Sequence, residues 1–179
     1  ALGGSGHLNP AVTLAFAAFS DFDSALVPGY IAAQVLGALT GSTIAWLTYK
    51  LHFDATSDPD LKLATFCTAP AIQHSAWNLV TEAIGTFALV FGALCIASPA
   101  DSMGALDALP VALLVLGIGM ALGGPTGYAI NPARDLGPRI AHALLPIAGK
   151  RDSNWSYAWI PVVGPIVGGL LGAFVFGCL

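Results

Sequence analysis

The sequence predicts an all-α membrane protein built as an inverted repeat, with four spanning helices and two shorter helices that enter the bilayer without crossing it. Three observations carry that expectation. Hydrophobic residues make up 56% of the 179-residue chain and charged ones only 9%, against about 25% charged in ordinary soluble domains; the mean hydropathy is +0.77. Uncharged stretches approach the roughly 20 residues that a helix needs to cross a bilayer. The tripeptide Asn-Pro-Ala occurs twice, as Asn9-Pro10-Ala11 and Asn131-Pro132-Ala133, each after a small-residue run and before a helix-compatible apolar one.

Residues 9–19 are apolar but too short to cross, and read as a half-helix ending near Ser20-Asp21-Phe22-Asp23. Asn is a strong N-cap and Pro is favoured at the first helical position, so each Asn-Pro pair reads as a helix start. Residues 25–49 carry no charge and form the first span, with Gly37-Ala38-Leu39-Thr40-Gly41 as a close-packing small-xxx-small stretch. Residues 50–74 are polar and mixed, a long external loop. Residues 77–98 make the second span, with Glu82 its only charge and Gly85 and Gly92 as packing residues. A turn at 99–104 leads to the third span, 105–123, where Gly119-x-x-x-Gly123 repeats the small spacing and Gly124-Pro125 ends it. Residues 132–145 are the second half-helix, expected to be interrupted at Gly137-Pro138. Lys150-Arg151-Asp152 reads as a hydrated loop. Residues 155–179 are the fourth span, with Trp155, Tyr157 and Trp159 as interface anchors.

The two boxes head an internal repeat, in which Gly37…Gly41 matches Gly168…Gly172. Three full spans separate the half-helices, so the two enter from opposite faces. Paired broken elements in inverted repeats predict a binding or conduction site near the midplane. Non-helical backbone at that depth is tolerated where it is buried or lines a wet cavity. The organisation is therefore one membrane domain over 1–179: a first half-helix and span (1–49), an extramembrane loop (50–76), and a second repeat (77–179) with its half-helix near 131–145.

Net charge is -4 with no Lys/Arg run, which gives nucleic-acid binding no electrostatic support. Cys67, Cys95 and Cys178 are unpatterned, and buried free thiols are expected rather than a disulfide or metal site. No metal-ligand cluster, cofactor motif or assembly of nucleophile, base and orienting group is visible, so no enzyme is expected. The chain starts Ala1-Leu2-Gly3-Gly4, without Met or a basic leader, and reaches the first box almost at once; its front is expected to be missing.

At this point the residues resemble a known family. Paired Asn-Pro-Ala boxes, each on a short helix, look like those of the major intrinsic proteins, the aquaporin and glycerol-facilitator channels. Asp135 after Arg134, in Asn131-Pro132-Ala133-Arg134-Asp135-Leu136-Gly137-Pro138-Arg139, resembles the glycerol-conducting branch. The resemblance implies an aquaporin-like helical bundle of which spans three to six and both half-helices are present. The first two spans, with the filter Trp of glycerol facilitators, would precede Ala1, and four spans alone are not expected to close a barrel or conduct.

In that arrangement the half-helices meet N-terminus to N-terminus, placing two positive dipole ends at one point. Asn9 and Asn131 satisfy local backbone through their carbonyl oxygens and offer NH2 donors to a passing oxygen. The alternative is two ordinary capped helices. Arg134 lies one turn past Asn131; by resemblance it is the filter arginine, otherwise an Arg that snorkels to the interface. Gly119 and Tyr128 align with the remaining filter positions. Gly leaves room where the water-selective branch usually has His, unless Gly119 only packs helices, and Tyr128 stands where glycerol facilitators usually have Phe. Carbonyls of Gly6, His7, Leu8, Gly127, Ala129 and Ile130 are expected to form a ladder of acceptors; His7 could also use its ring. Asp135 and Arg139 can pair at i, i+4 and widen the lane, or form only a surface pair. Glu82 is expected to accept N–H groups from the loop before Asn9, or else to snorkel. Pro161 aligns with a proline typical of the glycerol branch.

The expected function is passive diffusion of glycerol and other small uncharged solutes, with water, through an integral protein of the plasma or bacterial inner membrane, excluding protons and ions. A water-selective pore and an ion-coupled secondary transporter are the alternatives. Expected partners are the lipid bilayer and, by family, three further copies in a homotetramer. Lys50, Lys62, Lys150 and Arg151 share one face, which the positive-inside rule would make cytoplasmic, whereas the resemblance puts those loops outside.

Overall fold

The computed structural model describes residues 6–20, 22–96 and 104–179, and these are helical or irregular, with no strand among them. The helices are α1 (Pro10–Phe19), α2 (Val27–Thr48), α3 (Lys50–Ala55), α4 (Pro59–Ala64), α5 (Ser75–Cys95), α6 (Leu109–Thr126), α7 (Pro132–Leu144) and α8 (Ile160–Gly177). Single 3-10 turns at Ser24–Leu26 and Gly104–Ala108 lead into α2 and α6. Four candidate spans result: Ser24–Thr48, Ser75–Cys95, Leu106–Thr126 and Ile160–Gly177. The expected Ser5 start of the first box, Asp21, and the end of the second span with its turn through 103 lie outside the described residues.

Both half-helices start where the Asn-Pro pairs predict. Asn9 caps α1 and Asn131 caps α7, each in extended backbone with Pro at the first helical position. The repeats then cross over. α1 packs on α8, where a methyl added to Gly169 would stand 3.2 Å from the Ala11 carbonyl oxygen. α7 packs on α2, where Gly137 faces Ala38 and the Val35 carbonyl so closely that an added methyl would stand 2.7 Å from the Ala38 Cβ. Each half-helix thus rests on the last span of the other repeat.

Among the described helices, α5 and α8 pack more closely than any other pair. Gly164, Gly168 and Gly172 lie one turn apart, and a methyl at Gly168 would stand 2.0 Å from the Ala83 carbonyl oxygen. The matching glycines of α2 behave differently. Gly37 and Gly41 have nothing within 4 Å of an added methyl, so the expected close packing there is not made by the described residues. Correspondingly, 6% of the α2 window is buried against 44% of the α8 window.

Several expectations shift. α7 runs unbroken through Gly137 and Pro138; Pro138, the seventh helical residue, leaves the Arg134 carbonyl without its intrahelical N–H partner, and the close packing of Gly137 on α2 holds the helix there. α6 likewise continues through Pro125 to Thr126 before Gly127, at φ 75, ends it in the left-handed conformation. The external loop holds α3 and α4, the latter capped by Asp58, whose side chain accepts from the Asp60 and Leu61 N–H groups. α8 starts at Ile160, and Tyr157, expected at the interface, is buried while Trp155 and Trp159 are exposed. The buried thiol is Cys67, in the loop, whereas Cys95 and Cys178 at helix ends are exposed.

Candidate functional site: two helix tips joined at one point

The two asparagines clasp each other's loops. Asn9 Nδ2 donates to the Ile130 carbonyl at 2.7 Å, and Asn131 Nδ2 donates to the Leu8 carbonyl at 3.0 Å. Each side chain thus reaches the residue just before the other asparagine. Their Oδ1 atoms turn back to their own helices: Asn9 accepts from Ala11 N–H at 2.9 Å, Asn131 from Ala133 at 2.9 Å and Arg134 at 3.2 Å. A primary amide has two N–H donors, so the clasp uses one on each side and leaves one for another acceptor. The family resemblance implies the meeting of the tips; the crossed hydrogen bonds go beyond it, and the repetition of the boxes is the signal that could have found them. Asn9 and Ala11 are buried, Pro132 and Ala133 are buried, and Asn131 is half-buried.

The loop before α7 takes unusual backbone. Tyr128 at φ 38 and Ile130 at φ 42 are left-handed without being glycine, which costs of order 1–3 kcal/mol per residue. Glu82 offsets that strain. Its Oε1 accepts from Ala129 N–H at 3.0 Å and its Oε2 from Ile130 N–H at 2.8 Å. Glu82 therefore holds the loop before Asn131, not the loop before Asn9 as expected, because it sits in the second repeat's first span and faces that repeat's own loop. It is buried, so it does not snorkel. Both strained side chains sit on glycines: Ile130 over Gly85, and Tyr128 along Gly119 and Gly123.

The loop before α1 is held by a neutral group. Gln34 Nε2 donates to the His7 carbonyl at 2.8 Å and to Thr13 Oγ1 at 2.9 Å. The His7 ring sits among Phe16, Phe22 and Tyr30, with centroids 4.8, 5.0 and 5.8 Å away. Of the expected ladder, the His7, Leu8 and Ile130 carbonyls each accept an internal hydrogen bond, while Gly6, Gly127 and Ala129 lie on the same two loops.

Arg134 is exposed and donates to the Phe66 carbonyl at 3.4 Å. With Asn131, Leu8, Gln34 and Pro138 it lines an open cleft of about 500 Å³ against the Gly37–Gly41 face of α2. A second recess, about 470 Å³, is lined by Val115, Leu116, Gly119, Met120 and Tyr128.

Asp135 and Arg139 form a buried pair, not a surface one. Arg139 Nε donates to Asp135 Oδ1 at 2.8 Å and Nη2 to Oδ2 at 3.0 Å. Nη1 donates to the Ser153 and Asn154 carbonyls, and Nη2 also to the Thr68 carbonyl. All five guanidinium N–H donors are engaged. Asp135 Oδ2 further accepts from Thr68 N–H at 2.8 Å and Oγ1 at 2.7 Å. The pair ties α7 to both flanking loops. Sequence reading missed Thr68, Ser153 and Lys150, whose Nζ donates to the His142, Ala143 and Leu145 carbonyls at 2.6, 2.8 and 2.8 Å. A lysine just past a helix end is the signal that could have found it.

Two re-entrant helices joined tip to tip within a bundle of spans, beside open clefts, define an inverted-repeat membrane channel. Residues 3–176 match the model of the major intrinsic protein family, and the chain belongs to that family as an integral membrane channel rather than an enzyme. It is 55% identical to the probable glycerol uptake facilitator protein of Thermotoga maritima, covering 97% of this chain and 74% of that one. It is also 55% identical to the glycerol uptake facilitator protein of Bacillus subtilis, covering 95% of this chain and 62% of the relative. Its fold is similar to the X-ray structure of the aquaglyceroporin from Plasmodium falciparum, with TM-score 0.81 at 28% identity over 96% of this chain and 72% of that one.

Proposed function

We infer that the protein is a passive channel for glycerol and other small uncharged solutes, with water, and that it excludes protons and ions. The observation that carries this reading is the reciprocal clasp, which joins two helix N-termini at one point in an apolar chain. Two positive dipole ends there oppose cations and hydronium. A hydroxyl or water accepting from both free amide donors must point its own protons away, which breaks a proton wire. Arg134 serves as a donor to water or a polyol hydroxyl. Gly119 supplies the room, and the Tyr128 ring walls a slot for carbon. Glu82 holds the second loop at its strained backbone, and the Asp135–Arg139 pair fixes α7 behind it. The relatives' names support glycerol as the solute, and the family supports a homotetramer in the plasma or bacterial inner membrane.

The test uses the protein expressed from its complete reading frame and reconstituted in liposomes. Under a hyperosmotic glycerol gradient, stopped-flow light scattering should show rapid reswelling that is indifferent to an imposed proton or sodium gradient. Reswelling no faster than in empty vesicles, or dependent on either gradient, would contradict the reading.

A further inference from the structure

We propose that Gly123, together with Gly119 one turn earlier, fixes how deeply the Tyr128 ring lies against α6 and so sets the width of the lane. Gly123 is a positioning residue for selectivity: it does not line the recess that Gly119 and Tyr128 share. The inference rests on the channel reading above.

The Tyr128 ring lies lengthwise along the helix. A methyl on Gly123 would stand 2.9 Å from Cδ1 and 3.4 Å from Cε1, and one on Gly119 would stand 2.9 Å from Cζ, 3.0 Å from Cε2 and 3.3 Å from the hydroxyl. Real Cβ contacts essentially never fall below 3.0 Å, so a methyl at either place moves the ring. The backbone cannot yield instead. Gly127 caps α6 through its N–H to the Gly123 carbonyl, and the Ala129 and Ile130 N–H groups that follow Tyr128 are held by Glu82. What remains is side-chain rotation, which carries the ring off α6 toward its open side, where Tyr128 is 40% exposed.

The same arrangement at Ile130 has no such outlet. Its seat on Gly85 is equally tight, with an added methyl 2.9 Å from Cγ2, but Ile130 is buried among Leu89 and Ile118. Displacing Ile130 disturbs packing; displacing Tyr128 narrows the passage. Gly123 itself sits inside a helix without positive φ, where alanine is the better helix former.

The experiment compares four proteins in proteoliposomes: wild type, Gly123→Ala, Tyr128→Ala and the double variant, each from the complete reading frame. Stopped-flow traces of glycerol and water permeability should show Gly123→Ala losing about tenfold in glycerol but less than about twofold in water, since pore diameter acts first on the larger solute. Removing the ring in the double variant should restore glycerol. Gly124→Ala, whose methyl meets nothing within 4 Å, should change neither. An unchanged glycerol-to-water ratio in Gly123→Ala, a loss that persists without the ring, or the same selective loss in Gly124→Ala would overturn the proposal. Melting temperatures of the same four proteins read the seat without any solute. Non-additive shifts are expected, and additive ones would overturn it. A wild type that passes no glycerol would count against the channel reading, with the melting cycle still deciding the seat.

Discussion

The two re-entrant loops share one plan at their tips and differ in what stands behind them. Both asparagines cap a helix and donate across to the other loop. Behind the tips, the first loop leans on neutral Gln34 and on aromatic packing around His7, with no charged group in α1. The second leans on the buried carboxylate of Glu82, and the half-helix that follows it is anchored by the buried Asp135–Arg139 pair. The difference follows from the backbone. Residues 128 and 130 are left-handed without glycine, and a carboxylate gripping consecutive N–H groups holds such a conformation more firmly than a neutral amide can. In the function proposed above, the symmetric part would make the barrier to charge, and the asymmetric part would hold the residues that sort neutral solutes.

The comparison ranks the variants. Asp135→Asn should be the most damaging, because it leaves Arg139 buried without a counter-charge. A loss of about 3–5 kcal/mol is expected, read as a large drop in melting temperature in detergent; a shift as small as that of a surface variant would break the comparison. Glu82→Gln keeps the shape but faces one loop N–H with a donor. It should cost about 1–3 kcal/mol and reduce water and glycerol flux together. Gln34→Leu, at the first loop, should cost about 0.5–1.5 kcal/mol. Equal damage from Gln34→Leu and Glu82→Gln would erase the asymmetry.

The smallest effect concerns a reporter beneath the second loop. Burial pushes the Cys67 thiol up to about 12, although the Arg139 guanidinium pulls it down. With the folded value above the ordinary one, the thiol stays protonated through neutral and mildly alkaline pH, and the thiolate that reacts with maleimide forms only near pH 12. Wild-type Cys67 should therefore resist labelling at pH 8. Asp135→Asn, which loosens the Thr68 contact one residue away, should speed its labelling. Rapid labelling of the wild type would place Cys67 outside the packed loop.

How far the sequence reached can be traced along the same contrast. The symmetric part was legible because it is local: an Asn-Pro pair specifies a cap and a first turn wherever it occurs, and its recurrence implies two tips. The four spans were legible from apolar length alone. What stayed hidden depends on partners distant in the chain. Glu82 was assigned to the wrong loop because a lone acid in a span announces a buried acceptor without naming its donors, which lie 47 and 48 residues away. Gly119 reads as a filter position beside Tyr128, whereas Gly123 reads only as the second member of a small-xxx-small spacing and instead also seats the ring, a role that spacing does not encode. Lys50, Lys62, Lys150 and Arg151 read in the sequence only as basic residues of two loops on one face, without their partners. Lys50 pairs with Asp54, Lys62 donates to the Ala148 carbonyl, Lys150 caps α7, and Arg151 pairs with Asp60 and Asp152.

The account depends most on the two tips being joined, and a double-mutant cycle at Asn9 and Asn131 tests that directly. Each alanine variant alone removes one cap and one of the two crossed hydrogen bonds, so each loosens the junction on which the other bond depends. Thermal unfolding of the two single variants and the double should show a coupling of about 0.5–3 kcal/mol. Strictly additive losses would mean that the half-helices are capped independently and do not meet.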